Sequence, residues 1–150
     1  MPLKEQLADD LKDAMRQRDE SRKTAIRMAM WAIKNAEIAA GRPMEDKDVI
    51  AALARQVKQR RESIEEFGKA GRRDLVAKEE AEMRVLQAYL PPEMGREEIV
   101  EEVRKVIGEV GASGPGDKGR VMQAVMPRLA GRAEGRVIND IVSEQLANLS

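Results

Sequence analysis

The sequence predicts an all-helical protein: an N-terminal bundle of about four helices, residues 1–92, followed by a small C-terminal three-helix domain, residues 93–150. Three observations predict it. Apolar residues recur at spacings of three and four along the whole chain. No segment alternates cleanly with period two, so no sheet is expected. Glycine and proline interrupt the pattern where helices should end.

The first helix carries Leu3, Leu7, Leu11 and Met15, four residues apart and therefore on one face. The second runs from about Ser21 to Ala40 on a stripe of Ile26, Met30 and Ile33. Ala25, Ala29, Ala32 and Ala36 lie beside it, small enough for close helix approach. Gly41-Arg42-Pro43 ends it, because glycine suits a left-handed cap and proline cannot continue the ladder. A third helix starts near Glu45, with Ile50, Leu53, Val57, Ile64 and Phe67 inward. The missing turn of that stripe falls on Arg60-Arg61. Gly68 and Gly71 bracket a break, and a fourth helix follows with Leu75, Val76, Met83, Leu86 and Leu90. Pro91-Pro92 is the sharpest punctuation, since two prolines remove two donors and push the preceding residue out of the helical region. The domain boundary is placed there.

The tail predicts three shorter helices. Their apolar positions are Ile99 to Val110, then Val121, Met122, Val125, Met126 and Leu129, then Val137, Ile138, Ile141, Val142, Leu146 and Leu149. Gly111 to Gly116 is too glycine-rich to be helical. The only aromatic anchors are Trp31, Phe67 and Tyr89, so methionines and aliphatics must fill the core.

Composition narrows the chemistry. The 150 residues contain no cysteine and no histidine. A disulfide framework, a thiolate nucleophile, a zinc finger and a Ser-His-Asp triad are therefore excluded. No catalytic residue, metal site or cofactor is expected. No apolar run approaches the ~20 residues of a membrane span, and the acidic start of the chain does not read as a leader. A cytoplasmic protein is the expectation. Paired carboxylates such as Glu65-Glu66, Glu79-Glu80 and Glu97-Glu98 read as salt-bridged helix surface. The cationic run from Arg55 to Arg61, interleaved with glutamates, reads the same way. The segment from Gly111 to Gly119 is not a P-loop: Lys118 is followed by Gly119, not serine or threonine, and a helix precedes it. Ser113 has no histidine to activate it and reads as a turn residue.

Charge is segregated although it sums to zero. Residues 111–136 hold five basic side chains, Lys118, Arg120, Arg128, Arg132 and Arg136, against Asp117 and Glu134. Arginine forks beside glycine suit phosphate oxygens, and a tail without aromatics cannot stack bases. The stretch therefore reads either as a solvated cationic surface or as a contact for the shape of a folded RNA. The RNA reading requires that the five arms share a surface and are not each held by an acid.

The run from Gly111 to Leu146 resembles the C-terminal domain of the GatB/YqeY family. Gly119-Arg120-Val121-Met122, Met126-Pro127, Gly131-Arg132-Ala133-Glu134-Gly135 and Val137-Ile138-Asn139 carry the likeness. The helix VKQRRESIEEF from Val57 to Phe67, and Leu75 to Pro91 closing in Tyr89-Leu90-Pro91, are similar to free-standing YqeY-like members. The resemblance implies two all-helical parts. In the amidotransferase B subunit, the similar tail engages the tRNA body while a separate cradle performs glutamine-dependent amidation of mischarged tRNA. This sequence resembles the tail without the cradle, so a carbon–nitrogen ligase label would be inherited through the shared domain. Carried over by position, the tRNA-facing candidates are Lys118, Arg120, Arg128, Arg132 and Arg136, with Asn139 as a polar contact. Gly119, Gly131 and Gly135 would permit close approach. Gly114-Pro115-Gly116 and Glu134 depart from the pattern. The expected partner is tRNA or a tRNA-containing complex. A helical protein-interaction module, self-associating or binding another protein, is the alternative.

Overall fold

A computed structural model describes residues 1–129 and 131–149. The all-helical expectation holds: seven α-helices and one 3₁₀ turn are found among the described residues, and no strand. They are α1 (Leu3–Arg16), α2 (Glu20–Ala40), α3 (Asp46–Lys69), α4 (Arg73–Gln87), α5 (Arg96–Val110), the turn Pro115–Asp117, α6 (Lys118–Leu129) and α7 (Gly135–Ala147). The chain divides into two compact units, Met1–Pro91 and Pro92–Ser150.

In the first unit, α3 and α4 form a hairpin, and α2 packs against both α4 and α1. Leu7, Ala25, Ile26, Ala29, Ile33, Val49, Leu53, Val57 and Leu86 make its core. The small Ala25 and Ala29 are fully covered, as close helix approach requires. Local chemistry fixes the ends. Asp19 caps α2 by accepting from the Arg22 N–H, and Glu45 and Asp48 form a reciprocal capping box on α3. Gly41 closes α2 at φ +70°, a conformation that glycine adopts without steric cost. Asp46 accepts from the Leu3 N–H at 2.9 Å, tying the start of α1 to the start of α3.

Several inward assignments shift. Ala14, not Met15, is covered at the end of α1, and Met15 faces solvent. Val49 replaces Ile50 as the first core residue of α3, giving Val49, Leu53, Val57 and Arg60 on one face. Trp31 is no core anchor, being 68% exposed. Arg60 fills the turn left empty in the apolar stripe. It is only 5% exposed and donates to Glu82 at 2.8 Å and Glu79 at 3.1 Å, both on α4.

The second unit is a three-helix core of Ile99, Val103, Val106, Ile107, Val121, Val125, Leu129, Ile138, Ile141, Val142 and Leu146. Met126 and Leu149, assigned inward by spacing, are exposed. Leu149 lies beyond the end of α7. Pro127 sits inside α6, so the Gln123 carbonyl receives no helical hydrogen bond from it.

Candidate functional site

The basic residues of the tail are distributed along α6 and the turn into α7. Lys118 opens α6, half-buried, and Arg120 follows within its first turn. Arg128 lies in its last turn. Twelve residues at 1.5 Å each make α6 about 18 Å long, so the cations form two groups, one at each end. Arg132 and Arg136 belong with the second group, in the α6–α7 turn and the first turn of α7.

Most of these side chains have internal partners. Asp117 accepts from Arg120 at 3.3 Å and from the Ser113 N–H at 2.8 Å. The Ser113 amide first, and Arg120 with it, hold the Asp117 carboxyl below its usual range. Arg128 makes a two-pronged bond to Glu109 on α5, one arm at 3.2 Å. That bond depresses the Glu109 carboxyl and raises the Arg128 guanidinium. The Arg132 Nε donates to the Pro92 carbonyl at 3.2 Å, and its own carbonyl accepts from the Met94 N–H at 2.7 Å. Arg132 thus straps the segment entering α5 onto the α6–α7 turn, a structural task that spacing did not reveal. Asn139 is half-buried.

The glycines differ in role. Gly131 stands at φ +79°, where a side chain would be strained. A Cβ on Gly135 would meet the Met126 methyl at an ordinary 3.6 Å, and one on Gly119 would meet nothing within 4 Å. In the glycine-rich connector the Ser113 amide is taken by the chain's own Asp117 carboxylate. Among the described residues, no group of three acids is placed to hold a metal ion. None of their helices is long and apolar enough to cross a membrane.

A second surface, outside the tail, was missed. Leu7 of α1 and Met30, Trp31 and Ile33 of α2 line a groove of about 460 Å³, rimmed by Lys4, Arg27, Lys34 and Glu37. Glu37 is occupied: it accepts from Lys4 at 2.7 Å and from the Met44 N–H at 2.7 Å, so its carboxyl is held low. Arg27 and Lys34 make no ion pair among the described residues. The signal was present in the sequence, because Trp31 and Ile38 lie off the stripe of Ile26, Met30 and Ile33 at 100° per residue.

Comparison with known proteins places these features in a lineage. In Eremothecium gossypii, the protein named altered inheritance of mitochondria protein 41, mitochondrial, is 45% identical over 85 residues, covering 56% of this chain and 46% of the relative. The Saccharomyces cerevisiae protein of the same name is 39% identical over 104 residues, 67% of this chain and 56% of its own. That of Lachancea thermotolerans is 38% identical over 112 residues, 73% and 60% respectively. The chain spans about half the length of the curated relatives it matches. Their names overturn the expectation of a cytoplasmic protein. The physical reason is that a cysteine-free, mixed-charge surface suits any aqueous compartment, so composition could not discriminate among them. Fold and relatives together support a helical accessory protein. The family model described as Yqey-like protein matches residues 4–146, almost the whole length, and the chain belongs to that family.

Proposed function

We propose that this chain is an accessory protein without chemistry of its own, which engages tRNA, or a tRNA-dependent amidotransferase or translation complex, through its C-terminal unit. The observation that carries this reading is the excess of three positive charges over residues 111–136, laid along α6 and the α6–α7 turn. The pairs Arg120–Asp117 and Arg128–Glu109 are exposed. Pairs of this kind are screened by solvent and contribute little, so phosphate oxygens can displace the carboxylates. Recognition would be of backbone and shape, because the tail has no aromatic side chain. The names of the relatives support a mitochondrial setting for this work.

Filter binding to bulk tRNA tests the reading. Three phosphate contacts should weaken binding roughly 20- to 40-fold between about 50 and 200 mM salt. Replacing Lys118, Arg120 and Arg136 by glutamine should weaken binding and flatten that dependence, leaving only what Arg128 contributes, while Arg132 is left in place as a strap. Binding that is absent at about 50 mM salt, or unchanged in the triple variant, overturns it. Glutamine- and ATP-dependent amidation of Glu-tRNA by the purified chain alone is expected to be nil, which would mark the carbon–nitrogen ligase activity as belonging to other domains of the family.

A second reading, a protein-interaction module, is favoured by a specific observation. Met28, Trp31 and Ile38 of α2 are all exposed, the last two at 68% and 70%. Their spacing of three and seven puts them on one solvent-facing stripe.

A further inference from the structure

We infer that the groove between α1 and α2 is a docking site for an acidic amphipathic helix of another protein. This gives a partner class to the interaction reading and is independent of whether the tail binds RNA. The floor is apolar: Leu7 and Ile33 are covered beneath it, and Met30 and Trp31 form a wall. Its volume of about 460 Å³ lies within the ordinary range for binding clefts. Ile38 prolongs the apolar surface past Lys34, two turns beyond Trp31.

The rim decides the occupant. Arg27 and Lys34 are exposed, carry no ion pair among the described residues, and flank Trp31 at four residues before and three after. Seven residues separate them, about 10.5 Å along the helix. Two carboxylates seven apart on an opposing helix match that interval, with apolar side chains between them entering the floor. Lys4 is shared with Glu37, so the available charge on this rim is positive. A basic occupant would be repelled. An RNA strand would find one stacking ring and a floor of aliphatic side chains with no base-pairing edge. An aromatic side chain between charges, exposed until a partner covers it, is also the composition of an interface hot spot.

Trp31 is the sole tryptophan, so its emission reports on the groove directly. The test titrates the full chain with three blocked helical peptides of one length. The first presents leucines on one face and glutamates seven apart on its flank. The second has lysines for the glutamates, and the third has serines for the leucines. The expected result is a saturable blue shift with the first peptide alone, weakened at least tenfold by raising salt. In the double variant Arg27→Glu, Lys34→Glu the preference should reverse towards the lysine peptide. Both positions are solvent-exposed, and an unchanged circular dichroism spectrum checks the fold. Should that variant fold poorly, Arg27→Gln, Lys34→Gln should still lose the glutamate peptide. No shift at about 1 mM acidic peptide overturns the inference. So does an equal response to the lysine peptide, a response to oligouridylate in place of peptide, or a stable dimer in light scattering whose formation already buries Trp31. The tRNA measurement reads a different surface, so either result can fail alone.

Discussion

At the scale of single residues, the ion triad of Arg60, Glu79 and Glu82 is the most consequential feature of the N-terminal unit. Arg60 reaches from α3 into the space between α2 and α4, its guanidinium held by two carboxylates and its Nη2 directed at the Met28 sulfur at 3.6 Å. Glu82 is 2% exposed, so its charge is tolerable only because Arg60 is there. The Arg60 Nε is buried without a partner, which makes the arrangement less than fully satisfied. Two opposite consequences follow. Arg60→Ala strands a buried carboxylate and should cost about 3–5 kcal/mol. Arg60→Met with Glu82→Leu replaces the buried pair by apolar groups of similar volume and should lie within about 1 kcal/mol of wild type, or above it, with Glu79 free to turn to solvent. Urea unfolding of the two variants checks both. A double variant as unstable as the single one would mean that the triad contributes packing that hydrocarbon cannot replace.

At the scale of elements, ion pairs join helices that the cores already hold together. The Arg128–Glu109 link ties the end of α6 to the end of α5, and Glu109 titrates below the 4.5 of an ordinary glutamate. A carboxyl depressed in the folded state adds stability that is present above its unfolded value and lost as pH falls through its folded value. The advantage of wild type over Arg128→Ala should therefore be full at pH 7, shrink as pH drops below about 4.5, and vanish once Glu109 is protonated. Urea midpoints of both proteins across that range measure it, and an advantage that persists in acid would assign the effect of Arg128 to its stem, not its charge. The helices themselves were legible in the sequence because period and punctuation are local. Gly41 and Gly71 stand just past the ends of α2 and α3, Pro91-Pro92 follows the end of α4, and Gly68 is taken into the last turn of α3. What was not legible depended on partners distant in the chain. Arg60 sat at an empty place in an apolar stripe, but nothing local said that Glu79 and Glu82 would arrive from α4. Spacing alone could not choose between Val49 and Ile50, which are 100° apart on the same helix. Arg120, Arg128 and Arg132 were visible as charges, and their pairing with Asp117, Glu109 and the Pro92 carbonyl was not. Two of those three contacts bridge 19 and 40 residues.

At the scale of the whole molecule, the charge inventory has an unusual consequence. Basic and acidic side chains number 27 each, and there is no histidine or cysteine. Free carboxylates titrate near about 4, and lysine and tyrosine near about 10, so no side chain changes charge across the neutral range. Folding widens this gap. Asp13, Asp74, Glu37, Glu109 and Asp117 are all pulled down by hydrogen bonds to cations or backbone amides. Tyr89 is pushed up by burial and by its bond to Asp10. Net charge therefore changes only slowly through the neutral range, where the α-amino group is the one group with an ordinary value of about 8. A molecule near zero charge lacks the mutual repulsion that keeps surfaces apart, and this one also exposes Trp31 and Ile38. The second virial coefficient from static light scattering should accordingly lie at a low plateau from about pH 6 to 8, and rise below about pH 4.5 as the carboxylates take up protons. Within the plateau, Trp31→Ser with Ile38→Ser should raise it without altering charge. A steep change between pH 6 and 8 would require a titrating side chain that the sequence does not contain. A plateau unmoved by the double variant would place the attraction in the opposed charges of residues 1–90 and 91–150, net +2 and −2, where added salt should relieve it.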